Sequence, residues 1–481
     1  MINKKFKKWL SAYTLHYPRS ITYMLQASEY KVLAYLKWWH RVDDFRFVEK
    51  RKSLVKTKNA LIMLFFAWLI NICTYLSILW ILFSSELSFK YSLSFLILLL
   101  APYILAYGIL VPFFIMQYTY HKPRIYFLVK KRTAELAKHK GFKIGIAGSF
   151  GKTTMREILK TVILEGKKVT TPEKNYNTLV GISNFIEKLK GDEEVLIFEL
   201  GEYYKGDIEE MCDFVKPELG VITGVNEAHL EKFKDLKNTT STIFELADYL
   251  GSKPLYVNGE NYLAKEKASE KHFIYSRDGL ADLKILNSNT DLSGTFFTVS
   301  YKDKIYEFKS NLLGLHQIGP LLCAVHIALR LGLTIEQIQK GVSNTKPFDH
   351  RLEAKTDLNG VIILDDSYNG NPDGVKAVIE FLASIKGHRR FYVTPGLVEM
   401  GSRTEEVHRE IGKILAQSDI EKVVLVKNSV TSYIEKGLKE FNYKGDIIWF
   451  DEGLKALNAI PHLTASGDVV LLQNDWPDQY Y

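Results

Sequence analysis

The chain has 481 residues, 47% hydrophobic and 25% charged, a length beyond one ordinary domain and a composition that excludes general disorder. Its net charge of +8 would suit a nucleic-acid binder, but residues 1–58 hold 14 Lys/Arg against 4 Asp/Glu, a net of +10, which leaves −2 for residues 59–481. Cys73, Cys212 and Cys323 are far apart in sequence and form neither a CxxC pair nor a His-spaced set, so the composition argues against a disulfide framework or a zinc site and for a reducing compartment.

Within residues 1–58, Trp9, Tyr13, Tyr17, Tyr23, Tyr30, Tyr35, Trp38 and Trp39 alternate with lysines and arginines, a mixture that suits a segment lying where anionic lipid meets water. Aromatic and basic residues can also bind RNA. No nucleic-acid module signature accompanies them, and no nucleic-acid partner is expected. Two uncharged runs follow, 24 residues from Ala60 to Phe83 and 26 from Tyr91 to Met116, within a segment taken as 59–118. Each is long enough to cross about 30 Å of hydrocarbon as a helix, and the short link Ser84 to Lys90 predicts a hairpin. Lys50, Arg51, Lys52, Lys56 and Lys58 precede the first run, while Lys122, Arg124, Lys130, Lys131 and Arg132 follow the second, so both ends should face the cytoplasm. The first apolar run begins too far along the chain to be a cleaved leader.

Beyond Lys140 the pattern changes. Phe142 to Ala147 reads as a short buried strand, Gly148-Ser149-Phe150-Gly151-Lys152-Thr153-Thr154 as a glycine turn, and Thr154 to about Leu164 as a helix. That succession is the setting of a phosphate loop. Glycines let backbone N–H groups converge on phosphate oxygens, a helix N-terminus adds partial positive charge, Lys152 supplies a cation and the Thr153 hydroxyl can ligate Mg²⁺. The strict Walker spacing is absent because Ile146 stands five before Gly151.

Further strand-like runs are Val195–Phe198, Leu219–Thr223 and Pro254–Val257, with Phe273–Phe308 as a small antiparallel excursion. Val361–Leu364, Arg390–Val393, Lys422–Val426 and Val469–Leu472 then repeat the alternation with helices. The expected fold class is α/β, a nucleotide-binding body over 142–350 followed by a second, doubly wound body over 351–481, with the helical hairpin before them.

After the glycine loop come Thr171-Pro172-Glu173-Lys174-Asn175-Tyr176-Asn177-Thr178, Phe198-Glu199-Leu200-Gly201, Ala228-His229-Leu230-Glu231, His350-Arg351-Leu352-Glu353, Asp365-Asp366-Ser367-Tyr368-Asn369-Gly370-Asn371-Pro372 and Glu399-Met400-Gly401. This ordered set resembles the Mur ligase family, nearest to its MurF branch, whose members add D-Ala-D-Ala to a peptidoglycan precursor. The resemblance implies a P-loop central domain, a Rossmann-like C-terminal domain and ATP-dependent amide-bond formation through an acyl phosphate. It implies that Gly148 to Thr154 bind ATP and that Lys152 and Thr153 hold phosphates and one Mg²⁺. Glu199 would be a metal ligand, His229 a ligand to a second Mg²⁺, Arg351 a contact to the ATP phosphates and Asp366 a contact to the nucleotide. Asn175, Asn177 and Thr178 would belong to a loop facing the substrate. The implied substrates are an amino acid or short peptide and a carboxylate-bearing cell-wall precursor, with membrane lipid as a further partner. Structural roles compete for several of these residues: Glu199 can be a strand-end surface carboxylate, His229 a capping or packing histidine, and Asp365 and Asp366 a solvated turn.

Three departures from the family stand out. Ile243 occupies the position, two before Glu245, where many members carry a carbamylated lysine. His316 is followed by Gln317, with Pro320 where a second asparagine would face the base. No domain for holding a uridine nucleotide fits between Met116 and Phe142, and the apolar hairpin takes its place, which suggests a lipid-linked acceptor. A poly-γ-glutamate synthase-type ligase and a non-catalytic ATP-binding paralogue share most of these features.

Overall fold

The computed structural model describes all residues except 1, 29, 50–52, 85–88, 174–175, 203, 227–234, 349, 369, 399 and 475–481. The chain divides into two compact units, the first over residues 1–127 and the second over residues 128–476.

In the first unit, helices Lys58–Phe83 and Lys90–Gly108, the latter followed by Leu110–Met116, carry the apolar runs. Thr57 accepts from Ala60 N at 3.2 Å and so fixes where the first of them starts. Both helices are long and apolar enough to cross a membrane by length and composition, and they turn large side chains outward, among them Trp80 (72% exposed), Phe83 (85%) and Phe95 (67%). The link residues 85–88 lie outside the described set. Helical conformation continues through a π-helical turn at Gln117–His121 into Lys122–Lys138, for which the sequence sets no expectation.

Four of the eight aromatic residues singled out near the N-terminus pack inward. Tyr17, Tyr23, Tyr35 and Trp39 are buried, on helices Tyr17–Ala27 and Val32–Arg41, against Met63, Ala67 and Leu105. Pro102 inside helix Lys90–Gly108 has no N–H to give the carbonyl of Leu98, and Tyr13 Oη donates to that carbonyl at 2.7 Å. Tyr17 Oη donates to Pro102 O and Tyr35 Oη to Ala106 O, each at 2.8 Å, and Trp39 Nε1 donates to Tyr17 Oη at 3.1 Å. The segment is a folded cap whose phenols satisfy helix carbonyls, because buried polar groups need partners.

In the second unit the first sheet comprises β1 (Phe142–Ala147), β2 (Val169–Thr170), β3 (Val195–Glu199), β4 (Leu219–Ile222), β5 (Leu255–Asn258) and β6 (Phe273–Tyr275), in the order β2-β3-β1-β4-β5-β6 and parallel throughout. Its central strands β3 and β4 are buried along their whole length, in keeping with their largely apolar sequences. A separate antiparallel sheet holds β7 (Gly279–Leu280), β8 (Leu283–Asp291), β9 (Gly294–Tyr301) and β10 (Lys304–Ser310). The expected antiparallel excursion is therefore real but begins later, since Phe273–Tyr275 extends the parallel sheet.

The third sheet has β11 (Glu353–Thr356), β12 (Ile362–Asp366), β13 (Arg390–Thr394), β14 (Lys422–Val426), β15 (Asp446–Phe450) and β16 (Val469–Gln473), ordered β11-β12-β16-β13-β14-β15, with only β11 antiparallel. Ile146 pairs with Glu199, Ala147 with Ile222, and Asp366 with Gln473. Each pair marks the carboxyl ends of parallel strands, where open α/β sheets form their binding crevices.

Candidate functional site

The glycine loop leaves β1 and enters helix Lys152–Leu164. Gly148 has φ 147°, and a Cβ there would collide with Thr223 Oγ1 and stand 3.0 Å from Gly224 O, so only glycine fits. Gly151, at φ 75°, precedes the first helical residue. Ser149 N donates to Gly224 O at 2.9 Å and the Thr223 hydroxyl donates to Phe150 O, which ties the loop to the end of β4. The opening turn of helix Lys152–Leu164 therefore aims unpaired N–H groups at the space the loop surrounds. Lys152 Nζ donates to Gly148 O and lies 2.9 Å from both carboxylate oxygens of buried Glu202.

Glu199, buried at the end of β3, accepts from Thr153 Oγ1 at 3.0 Å and pairs with Arg156 at 2.7 Å. Burial raises its carboxyl above the ordinary range, while Arg156, Lys152 and the Thr153 hydroxyl pull it back. Thr153 and Glu199 are thus brought together as the sequence suggested. Glu202 and Arg156 were not foreseen, although Arg156 lies four residues after Lys152 and hence on the same helix face.

Arg351 and Asp366 come from the other end of the unit. The Arg351 guanidinium stacks 4.9 Å from the Tyr368 ring. Asp366 accepts from Leu352 N at 3.1 Å and from Gln473 Nε2 at 2.7 Å. Gln473 is a third residue with no signal in the sequence, because its role depends on β16 lying beside β12. Burial pushes the Asp366 carboxyl up to about 6, with Gln473 and Arg351 opposing the rise. Asp365, the neighbouring acid, is turned to His350 Nδ1 at 2.7 Å and to the Ser367 hydroxyl at 2.7 Å.

The two parts are tied together by Asn226 Nδ2 donating to Asn371 Oδ1 at 2.8 Å, Asn261 Nδ2 to Asp373 Oδ2 at 3.2 Å, and Arg277 to Glu380 at 3.0 Å. Between them lies a cavity of about 610 Å³ whose lining includes Phe150, Thr223, His316, Pro320, Arg351 and Asp366. His316 receives the Gln317 amide at 2.9 Å, and burial, with Arg277 nearby, lowers its ring to about 4, so it faces the cavity uncharged at neutral pH.

Two family models match the chain: the Mur ligase middle domain over residues 146–328 and the Mur ligase glutamate ligase domain over residues 350–473. The chain belongs to the Mur ligase family. UDP-N-acetylmuramoyl-tripeptide--D-alanyl-D-alanine ligase from Bacillus subtilis is 25% identical over 341 residues, 69% of this chain and 72% of the relative. The enzyme of that name from Mycobacterium tuberculosis is 28% identical over 294 residues, 59% of this chain and 58% of the relative, so the match spans less than two thirds of that protein. Among solved structures, the MurF ligase from Thermotoga maritima in complex with ADP superposes with a TM-score of 0.65 at 23% identity, covering 73% of this chain and 80% of that one.

Two residues that the family resemblance had singled out, Asn175 and His229, lie outside the described residues, as does Glu399. Asn177 O accepts from Gly201 N at 3.1 Å, which pins its loop to the end of β3. The Thr178 hydroxyl accepts from Gly181 N at 3.2 Å and caps helix Leu179–Ile186, a structural duty. Ile243 is fully buried with Phe198, Met211 and Leu246 in the apolar core of the Mur ligase middle domain, and Glu245 instead accepts from Gly206 N at 2.8 Å and Glu209 N at 3.1 Å at the start of helix Asp207–Val215. The Ile243 position therefore supplies packing and no ligand. Among the described residues, no three His, Cys, Asp or Glu side chains gather as a metal cluster.

The elevated Asp366 carboxyl gives a signed prediction. Its unfolded value is near 3.8 and its folded value about 6, so the native state binds the extra proton between them. Stability therefore falls as pH rises through that window and is level above it, by on the order of 1–3 kcal/mol. Asp366→Asn should abolish that slope and be the more stable form at neutral pH, as read by urea unfolding at about pH 5 and about pH 7.5.

Proposed function

We propose that the chain is a membrane-anchored, ATP-dependent ligase that joins an amino acid or short peptide to the carboxylate of a cell-wall precursor. The observation that carries this reading is that Phe150, Gly151 and Thr154 of the glycine loop line one cavity with Arg351 and Asp366, while Lys152 and Thr153 of the same loop meet Glu202 and Glu199 beside it. In it, residues 142–350 bind ATP and residues 351–481 close over the nucleotide.

The chemistry asks for charge neutralisation more than for a protein nucleophile. An acceptor carboxylate oxygen attacks the γ-phosphorus, the bond to the β-phosphate oxygen breaks, and ADP leaves. The amine nitrogen then attacks the acyl carbon, and the C–O bond to phosphate breaks as the amide forms. Loop N–H groups from Gly148 to Thr154 and the Lys152 ammonium cradle the β- and γ-phosphates, with Glu202 holding Lys152 in place until ATP draws it away. Arg351 supplies the opposing cation. Asp366, ionised at neutral pH, accepts from the ribose. The hydroxyl of Thr153 beside the Glu199 carboxylate is a hard-oxygen pair that suits Mg²⁺, which prefers one or two carboxylates plus substrate phosphates. Held there, Mg²⁺ supplies further neutralisation of the phosphate oxygens.

Anchoring is supported by the outward apolar side chains of the two long helices, which would be costly in water, and by the cationic flanks that favour a cytoplasmic location for both ends. Residues 1–58 cap this hairpin. An enzyme fixed at the bilayer, with no room between Met116 and Phe142 for a uridine-binding domain, meets its acceptor most readily as a lipid-linked species. In nanodiscs, phosphate release with amine present should be faster with lipid-linked than with UDP-linked acceptor. Equal rates would remove the lipid-linked part of the proposal.

A further inference from the structure

A groove of about 710 Å³ lies wholly within the first unit, between helix Lys58–Phe83 and the helical run Lys90–Met116. Its body is apolar, with Ile62, Phe66 and Ile70 on one side and Val111 and Ile115 on the other. Lys58, His121 and Arg124 line it as well, and among the described residues no Asp or Glu does. All three sit at the charged ends of the apolar runs, the side the flanking lysines and arginines assign to the cytoplasm. His121 Nε2 is buried and has no hydrogen-bond partner among the described residues, the state of a ring nitrogen that awaits one. His121 ends a π-helical turn, Gln117–His121, a local widening that turns Tyr120 and His121 toward the groove. Arg124 is braced by Tyr120 Oη at 3.2 Å.

From this we infer that the groove binds a single-chain lipid diphosphate, its tail between the helices and its phosphates on Lys58, His121 and Arg124. The inference rests on the proposal that the acceptor is lipid-linked, and it says where such an acceptor is held. Three cation or donor groups drawn from both helices match two adjacent phosphates better than one. One trough between two helices takes one chain, whereas a phospholipid brings two. The absence of any carboxylate from the lining leaves nothing to repel the diphosphate. Gly108 keeps the trough open: a Cβ there would meet only Ile70, at 3.6 and 3.8 Å, so a larger side chain can be added without backbone strain and would fill the space.

The test uses the full chain in nanodiscs with farnesyl diphosphate as the probe, and with inorganic pyrophosphate, farnesol and phosphatidylglycerol as competitors. Wild type should bind the probe, pyrophosphate and farnesol should each compete poorly, and phosphatidylglycerol should not displace it. Lys58→Ala with Arg124→Ala should weaken binding roughly a hundredfold or more, since each charged hydrogen bond lost is worth about tenfold or more. Gly108→Leu should block the tail to a similar extent. ADP binding at the glycine loop should be unchanged in all variants, and helix content by circular dichroism in nanodiscs should match wild type, which together show that both units are folded. The inference is overturned if phosphatidylglycerol displaces the probe as well as unlabelled probe does, or if the folded variants bind like wild type. Ligation of a lipid-linked acceptor that persists in Gly108→Leu would reject the groove while leaving the proposed function standing. Probe binding lost in the variants, in an enzyme that does not turn over lipid-linked acceptor, would leave the groove standing and reject that function.

Discussion

Replacing Lys152 with alanine is expected to lower kcat/KM for ATP roughly 10³-fold, the scale of losing a preorganised positive group at a reacting phosphate. The same change has a second, separable consequence. Lys152 and Glu202 form a buried pair at 2.9 Å, with their side chains 13% and 3% exposed. Removing the lysine strands a buried carboxylate, and breaking such pairs costs about 3–5 kcal/mol of stability. Lys152→Ala combined with Glu202→Gln should therefore regain much of the stability and none of the activity. Thermal unfolding and ADP formation measured on the single and double variants separate the two effects. An active Lys152→Ala enzyme would remove the glycine loop from the mechanism.

The second large effect is expected at Glu199. Glu199→Gln keeps the shape and the ability to accept from Thr153 Oγ1, now at 3.0 Å, but discards the charge. With one hard anionic donor fewer, half-saturation should need at least roughly tenfold more Mg²⁺, and kcat should fall about 10²-fold or more. Arg156, buried and paired with Glu199 at 2.7 Å, loses that charge partner while Glu157 stays at 2.8 Å, so a stability loss of about 1–3 kcal/mol should accompany the change. A titration of activity against Mg²⁺ checks the assignment, and an unchanged midpoint would return Glu199 to the status of a buried structural acid.

The parts of this molecule that were legible in its sequence are those where local pattern and tertiary environment agree. Val195–Phe198 and Lys422–Val426 are short apolar runs bounded by polar residues, and both are central strands covered on two faces. The glycine loop was legible because strand, turn and helix N-terminus are contiguous in the chain. β11 and β15 were not, since Glu353–Thr356 and Asp446–Phe450 are edge strands, half exposed and polar in part, with little to distinguish them from loops. Gln473 and Glu202 carry no sequence signal of their own: each acts through a partner distant in the chain, Asp366 and Lys152. The inward contacts of the tyrosines near the N-terminus were hidden for the same reason. Their spacing with lysines resembles an interfacial segment, while their hydroxyls serve carbonyls that Pro102 and its neighbours expose some 85 residues later.

The interdomain site also explains why the departures at His316 and Pro320 matter locally. Both line the cavity, where an uncharged imidazole held by Gln317 and a proline lacking an N–H offer the base fewer donors than an asparagine pair would. If the site takes ATP as proposed, recognition of adenine would lean on shape more than on paired amides.

The central claim is that Lys152, Glu199, Arg351 and Asp366 form one site that activates a carboxylate as an acyl phosphate. Hydroxylamine trapping tests it most directly: with ATP, Mg²⁺ and the acceptor but no amine, wild type should yield the acceptor hydroxamate and a matching amount of ADP, and Lys152→Ala should yield neither. ADP formed without hydroxamate, or hydroxamate formed equally by the variant, would contradict it.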